Sequence, residues 1–409
     1  MRGMNVSRGL GRVFTGFAVV LLVTNAWAGH QVLHSFSGSD GNGPIAGLVS
    51  DSSGNFYGTT DQGGSNNLGT VYELSPAGGG SWTYTVLHSF AGTDGSFPFS
   101  RLVFDSQGNM YGTTYRGGAH DFGTVFRLSP AQGGGWTEAV IHNFNTTNLI
   151  GDGSFPETGL TFDSQGNLFG TTYAGGTRGS GLVFKLTPNG DGTWSKSTVH
   201  YFGGGTDGAN PNSELLRDAQ GNFYGTTYAG GSAQLGTVYE LSPNGSGGYT
   251  EQVLHSFALT NDGSYPIQST LILDSQGNLY GTTSKGGSHA LGVAYKLAPN
   301  GSGGWTKTIL HNFGSGTDGA NPHTGLISDA SGNLYGTTYF GGSLGYGAVF
   351  KMTPNGSGGY TTTILHSLFS GSDAAHPYGP LYLDSQGNLY GTSFQGGSSN
   401  LGTIYEITP

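Results

Sequence analysis

The sequence predicts an all-β fold: a seven-bladed β-propeller of four-stranded antiparallel blades, closed by an N-terminal strand pairing with the last blade. Three observations predict it. The tetrad Tyr57-Gly58-Thr59-Thr60 recurs at Tyr111, Phe169, Tyr224, Tyr280, Tyr335 and Tyr390, a period near 55 residues. Every copy contains several short runs rich in β-branched and aromatic residues, separated by Gly, Pro, Asn and Asp. Repeats of this length with internal β patterning signal radial arrays of blades. The array also starts in mid-unit: Val32-Leu33-His34-Ser35-Phe36 matches the segment that closes each copy, and the last copy stops at Pro409 without one. A linear solenoid has no reason to begin there and would need capping repeats.

Within one unit the first strand is expected at Leu102-Val103-Phe104, followed by a tight turn, Asp105-Ser106-Gln107-Gly108, whose glycine supplies positive φ. The second strand carries the tetrad, from Asn109 to Thr114. The third spans Thr124 to Leu128, and the fourth runs from Trp136 to Phe144. The link from a fourth strand to the next first strand is the longest in the unit, as from Phe90 to Leu102. Crossing a four-stranded blade from its outer to its inner edge covers roughly 15 Å, which requires such a link. No useful helical periodicity interrupts the pattern.

Residues 1–28 read as a secretory signal peptide, with Arg2, Arg8 and Arg12, an apolar run from Val13 to Val23, and Ala26-Trp27-Ala28 as the cleavage site. Residues 29–409 then form a single propeller domain in the secreted or periplasmic space. Removing the three arginines leaves 11 basic against 24 acidic residues, a charge of −13. That balance argues against nucleic acid and anionic membrane surfaces as partners, and no apolar stretch is long enough to span a bilayer. A monomer is expected. With no cysteine there are neither disulfides nor thiolate sites.

Three polar positions repeat sevenfold. The hairpin aspartate, as at Asp105, suits its own turn. The crossover aspartate (Asp40, Asp94, Asp152, Asp207, Asp262, Asp318, Asp373) stands four residues before a proline in every copy. It reads as a turn stabiliser, since no copy has the dense oxygen pattern of a calcium loop. The strand histidine (His34, His88, His142, His200, His255, His311, His366) reads as a structural hydrogen-bonding group, because seven copies are spread around a ring instead of meeting at one ion. No metal site is therefore assigned, and no cofactor is implied beyond room for a divalent cation. The Trp or Tyr opening the fourth strand is expected to pack between blades.

Asymmetric chemistry must come from departures. Connections alternate between the faces of an up-and-down blade, so the Gly-Gly loop and the Asp-Gly crossover share one face. There lie four histidines outside the repeat, His120, His289, His323 and His376, beside Arg116, Asp121, Glu157, Arg178 and Lys285. Arg101 and Glu214 begin innermost strands where other blades carry Gly, Thr or Pro, and they would line the channel mouth. Loops on a rigid scaffold commonly carry function, which makes this face the candidate site. No Gly-x-Ser-x-Gly, His-Glu-x-x-His or P-loop motif fixes a catalytic geometry.

Leu279-Tyr280-Gly281-Thr282-Thr283, followed by Gly286-Gly287 and Leu291-Gly292, resembles the tandem GloVer repeat of exported bacterial proteins of the choice-of-anchor type. The resemblance covers essentially residues 29–409 and implies export, repeat architecture and often a C-terminal surface anchor, although no sorting tail follows Pro409. It transfers no catalytic residues. The Asp-x-x-Gly-Asn-aromatic turn is also similar to turns in lactonase-like and lyase-like propellers, but a turn is not a site. Three functional classes follow: a binding module for glycans or other extracellular polymers, a lyase or hydrolase of carbohydrates or lactones working over the channel, and a structural envelope protein.

Overall fold

A computed structural model describes residues 29–145, 151–203, 205–258, 261–314 and 317–408. The signal peptide and cleavage site expected from sequence fall at 1–28, outside the described residues. Seven antiparallel sheets form the ring. Blade 2 is typical: Val103–Phe104, Met110–Thr114, Thr124–Pro130 and Trp136–Asn143, from the channel outward. The inner strand is thus shorter than the sequence pattern suggests, two residues in each blade. In blades 4 and 7 the crossover adds a strand, Gly208–Pro211 or Ala374–Pro377, beside the second strand. Elsewhere the same contact is a single bridge, such as Ser96 with Arg116. Among the described residues there is no helix, hence none long and apolar enough to cross a membrane.

The ring closes as the mid-unit start predicts. Gly29–Ser35 pairs with Thr403–Thr408 as the outer strand of blade 7, from Gly29 opposite Thr408 to Ser35 opposite Thr403. Phe36 then packs with Tyr390 and Ile404 of blade 7 and with Leu48, Phe56 and Tyr72 of blade 1. The core therefore lies between blades. At the next boundary Tyr57, Val71 and Phe90 meet Leu102, Met110 and Phe126.

Each letter of the tetrad has a task in this packing. Its tyrosine hydroxyl donates to the hairpin aspartate, at 3.0 Å from Tyr111 to Asp105, while that carboxylate also caps the amides of Gln107 and Asn109. Phe169 forgoes this bond. The tetrad glycine lies under the third strand's aromatic ring: a β-carbon on Gly112 would come 2.6 Å from Phe126 Cζ. The first threonine reaches the next blade, as from Thr113 to the Thr158 carbonyl at 3.0 Å. The second pairs with the first residue of the third strand, as Thr114 with Thr124 at 2.8 Å.

The seams are tied by a second glycine, which precedes each third strand with φ near +90° to +100°, and by the crossover proline. A β-carbon on Gly123 would lie 2.7 Å from Pro156, and Gly236 and Pro266 repeat the arrangement at 2.8 Å. The aromatic opening the fourth strand of blades 1 to 6 also spans a seam, as Trp136 does against Tyr57 and Trp194 against Tyr111.

Removing residues 29–36 is expected to abolish cooperative folding. Phe36→Ala alone should cost about 3–5 kcal/mol, the usual penalty for truncating a fully buried phenylalanine. Urea denaturation checks both, and an unchanged midpoint in either variant would refute ring closure by this strand.

Candidate functional site

The face holding the Gly-Gly loops and crossovers is organised as concentric rings of non-repeating residues around the channel. The innermost ring stands three residues after the crossover proline, or four in blade 5, where one residue is inserted. It is mostly small, with Gly47, Gly159, Thr270, Gly325 and Pro380, and carries charge only at Arg101 and Glu214. These two meet across the glycine of the intervening blade. Arg101 Nη2 lies 2.6 Å from Glu214 Oε1 and Nε 3.1 Å from Oε2. A β-carbon on Gly159 would touch that carboxylate, so the missing side chain makes the bridge possible. The pair separates a cavity of about 30 Å³ at the mouth, room for a water or two, from one of about 510 Å³ below it. The charge of Glu214 raises the pKa of Arg101 further.

The next ring, one residue after each proline, includes Phe99, Glu157, Asn212, His323 and Tyr378. Glu157 accepts from the Asn212 side-chain amide, while Asn212 Oδ1 accepts from the Gln268 amide at 2.9 Å. Burial pushes the Glu157 carboxyl up to about 7, and only the Asn212 bond opposes it. Its charge is felt by Tyr115, Tyr173 and Tyr378, so these groups converge.

The third ring follows each tetrad: Asp61, Tyr115, Tyr173, Tyr228, Ser284, Tyr339 and Phe394. Five of seven are aromatic. Asp61 is buried and likewise pushed up to about 7 by desolvation, with Oδ1 lacking a hydrogen-bond partner. The residue before each crossover proline holds this ring in place, and it lies in the left-handed region in every blade. Gly43 occupies it in blade 1; Phe97, Phe155, Asn210, Tyr265, Asn321 and His376 do so elsewhere, with φ from 54° to 59°. For bulky residues this conformation costs on the order of 1–3 kcal/mol each. The carbonyl of Phe97 accepts from the Tyr115 amide at 3.0 Å, and Phe155 packs on the Tyr115 ring at 5.0 Å. Asn210 instead donates its side-chain amide to the Tyr173 carbonyl, at 2.9 Å.

The ten positions expected from sequence divide accordingly. Arg101 and Glu214 meet in the channel. His323 and His376 sandwich Tyr339 at 4.6 and 4.7 Å, with Tyr378, Phe340 and Tyr346 around them. Burial lowers the pKa of His323 to about 4, helped by the charge of Lys285, so its imidazole is neutral. Arg116 and Asp121 form an exposed pair at 3.3 Å, with the guanidinium over Tyr115 and Phe155. Lys285 lies over Tyr265. His120, Arg178 and His289 are exposed on separate loops, so the four non-repeat histidines do not all converge. The aromatic ring after the tetrad was missed, although its signal was available: it is the first letter after each Tyr-Gly-Thr-Thr, and it varies.

The two sevenfold positions read separately from sequence form one unit. Each strand histidine presents Nε2 to the crossover aspartate of its own link, at 2.6–3.2 Å in six copies and 3.6 Å for His200 and Asp207. A third residue, four positions before the next blade's histidine, completes each niche. Tyr84 stacks on His34 at 3.9 Å, Lys196 pairs with Asp152, Lys307 pairs with Asp262, Thr362 bonds His311, and His30 Nε2 lies 2.9 Å from Asp373 Oδ1. Glu138 and Glu251 take the two remaining places. Among the described residues, three groups have the make-up to hold a metal ion: these two niches, and His30 with His366 and Asp373.

The Gloeobacter/Verrucomicrobia repeat pattern matches the chain over residues 16–239, 137–303 and 212–409. No curated protein sequence matches. Among solved structures, the fold is similar to the extracellular domain of a protein described as a one component system from B. thetaiotaomicron. That likeness has a TM-score of 0.53 and 9% identity, over 93% of this chain and 40% of the other, so this chain spans less than half of that one. A gluconolactonase from Xanthomonas campestris is similar over 74% of this chain and 82% of its own, with 16% identity and a TM-score of 0.41.

Glu157 should leave a pH signature. Its folded pKa, about 7, is above the ordinary 4.5, so its contribution to stability is full below pH 4.5 and is lost as pH rises through 7. The loss amounts to on the order of 2–3 kcal/mol. Urea midpoints from pH 4.5 to 8 should fall less steeply in Glu157→Gln, and an unaltered slope would refute the assigned burial.

Proposed function

The chain belongs to the Gloeobacter/Verrucomicrobia repeat family, and from that membership together with the aromatic channel mouth we propose a binding module that works outside the cytoplasm on an uncharged glycan or similar extracellular polymer. The observation that carries the reading is the ring of Tyr115, Tyr173, Tyr228, Tyr339 and Phe394 around one polar mouth. Sugar rings present C–H faces that pack on aromatic faces, while their hydroxyls need a few fixed polar partners. Asn212, Gln268, neutral His323 and the tyrosine hydroxyls are suited to supply those. Burial holds Glu157 and Asp61 at a pKa of about 7, so the two carboxyls of the mouth lose their negative charge as pH falls below neutral. Basic side chains that would recognise a polyanion are confined to the exposed rim at Arg116, Arg178 and Lys285.

A second reading rests on the same two carboxyls. Groups held near neutral pKa are suited to general acid–base chemistry, and a hydrolase or lyase would use Glu157 and Asp61 at this mouth.

Calorimetric titration against a panel of neutral and anionic polysaccharides separates the two. Tyr173→Ala and Tyr228→Ala should each weaken binding of a neutral polymer about tenfold with the fold intact. Unchanged affinity in both would overturn the binding face. Release of product from the panel, abolished by Glu157→Gln, would replace the binding reading with the enzymatic one.

A further inference from the structure

The niches between outer strands share a histidine and an aspartate but differ in the residue that completes them. In two, that residue is a cation in direct contact with the aspartate: Lys196 Nζ lies 2.6 Å from Asp152 Oδ1, and Lys307 Nζ lies 2.8 Å from Asp262 Oδ1. Glu138 and Glu251 reverse that charge. Glu138 faces His88 and Asp94, Glu251 faces His200 and Asp207, and in each trio the three donor atoms lie within 4.8 Å of one another. One oxygen of each glutamate, Oε1, is buried without a hydrogen-bond partner, and so is His200 Nε2. Two carboxylates and an imidazole thus converge where the equivalent niches hold an ammonium group.

We propose that these two niches each bind a divalent transition cation, of which Zn²⁺ is the probe, through the histidine Nε2 and the two carboxylates. Donors bound to one tetrahedral ion at about 2.0–2.2 Å stand roughly 3.3–3.6 Å apart. His200 Nε2 and Asp207 Oδ2 are already 3.6 Å apart, the widest of the seven pairs. His88 and Asp94, at 2.9 Å, are hydrogen-bonded, and the ion would take the place of that bond. One nitrogen and two oxygens suit zinc or manganese; calcium takes six to eight oxygens. The ion's charge balances both carboxylates, as an ammonium group balances one in the lysine niches. Arg178 is exposed and donates to the Gly203 carbonyl at 3.4 Å, with no ion pair to Asp207 among the described residues. Partial exposure of both histidines, 23% and 21%, gives the ion a route from solvent. Each ion would join the outer strands of adjacent blades, far from the tyrosine-ringed mouth, so the inference is independent of the proposed ligand.

The His30, His366 and Asp373 group has a single carboxylate, with an imidazole already at each of its oxygens, so metal-stripped protein titrated with zinc chloride should take up two ions per chain, with the thermal midpoint rising as it does. Glu138→Lys or Glu251→Lys, which copy the neighbouring niches, should each lower the stoichiometry to one. The double variant should take up none and should melt higher than the stripped protein without zinc. Glu138→Thr/Glu251→Thr, copying the Thr362 niche, serves should the lysines disturb folding. Equal zinc uptake by the double variants, or none by the unaltered chain, overturns the proposal. So does a stability that responds to pH and not to zinc.

Discussion

A propeller needs its blades to approach closely along seams that twist away from one another, and here the approach is made by removing atoms. The glycine before each third strand takes positive φ and leaves room for the crossover proline of the next blade. The tetrad glycine leaves room for a ring from its own third strand. Both are backbone-to-side-chain contacts that any β-carbon would block, and each occurs at every blade. The abundance of glycine in this chain is therefore a packing requirement, with the aromatic core of each seam as its counterpart. Interiors this dense tolerate little change in volume. That explains why the phrase is repeated almost unaltered, and why it says nothing about a ligand.

The number of blades, the order of strands and the closure were legible in the sequence because period, turn chemistry and link length are all properties of the chain read in one direction. The mid-unit start had one physical solution, an outer strand donated to the last blade, and Phe36 sits at that seam. The pairing of His34 with Asp40, or His142 with Asp152, was not legible. The two residues lie at variable separations, six residues in the first case and ten in the second, and nothing local marks them as partners. They were assigned separate roles, in the strand and in the turn, whereas they form one niche completed from the next blade.

The candidate site was legible in part, and for a definite reason. Charges are conspicuous in a chain with few of them, so Arg101 and Glu214 stood out, and they meet. His323 and His376 were found as departures from the repeat, but the group that joins them, Tyr339, was not, because a tyrosine after a β-strand looks like more of the strand. The left-handed backbone of Phe97, Phe155, Tyr265 and His376 had no sequence signal at all. Glycine or asparagine would be expected there, and only Gly43, Asn210 and Asn321 comply. Bulky residues persist in that conformation when their surroundings over-determine it. Here the crossover proline on one side and the ring after the tetrad on the other do so.

Two kinds of asymmetry are thus superimposed on one symmetric frame. At the rim, substitution changes the sign of charge in otherwise equivalent niches between blades, which bears on how neighbouring outer strands are held. At the mouth, substitution places carboxyls where water is scarce, and burial keeps both Glu157 and Asp61 largely neutral below pH 7. The charges of both, when ionised, reach Tyr378, and Arg101 is already committed to Glu214. The mouth is therefore built to hold polar groups without net charge among aromatic faces. That combination rewards a ligand carrying hydroxyls and apolar faces together, and it penalises an anion, which would have to lose its hydration beside two acids.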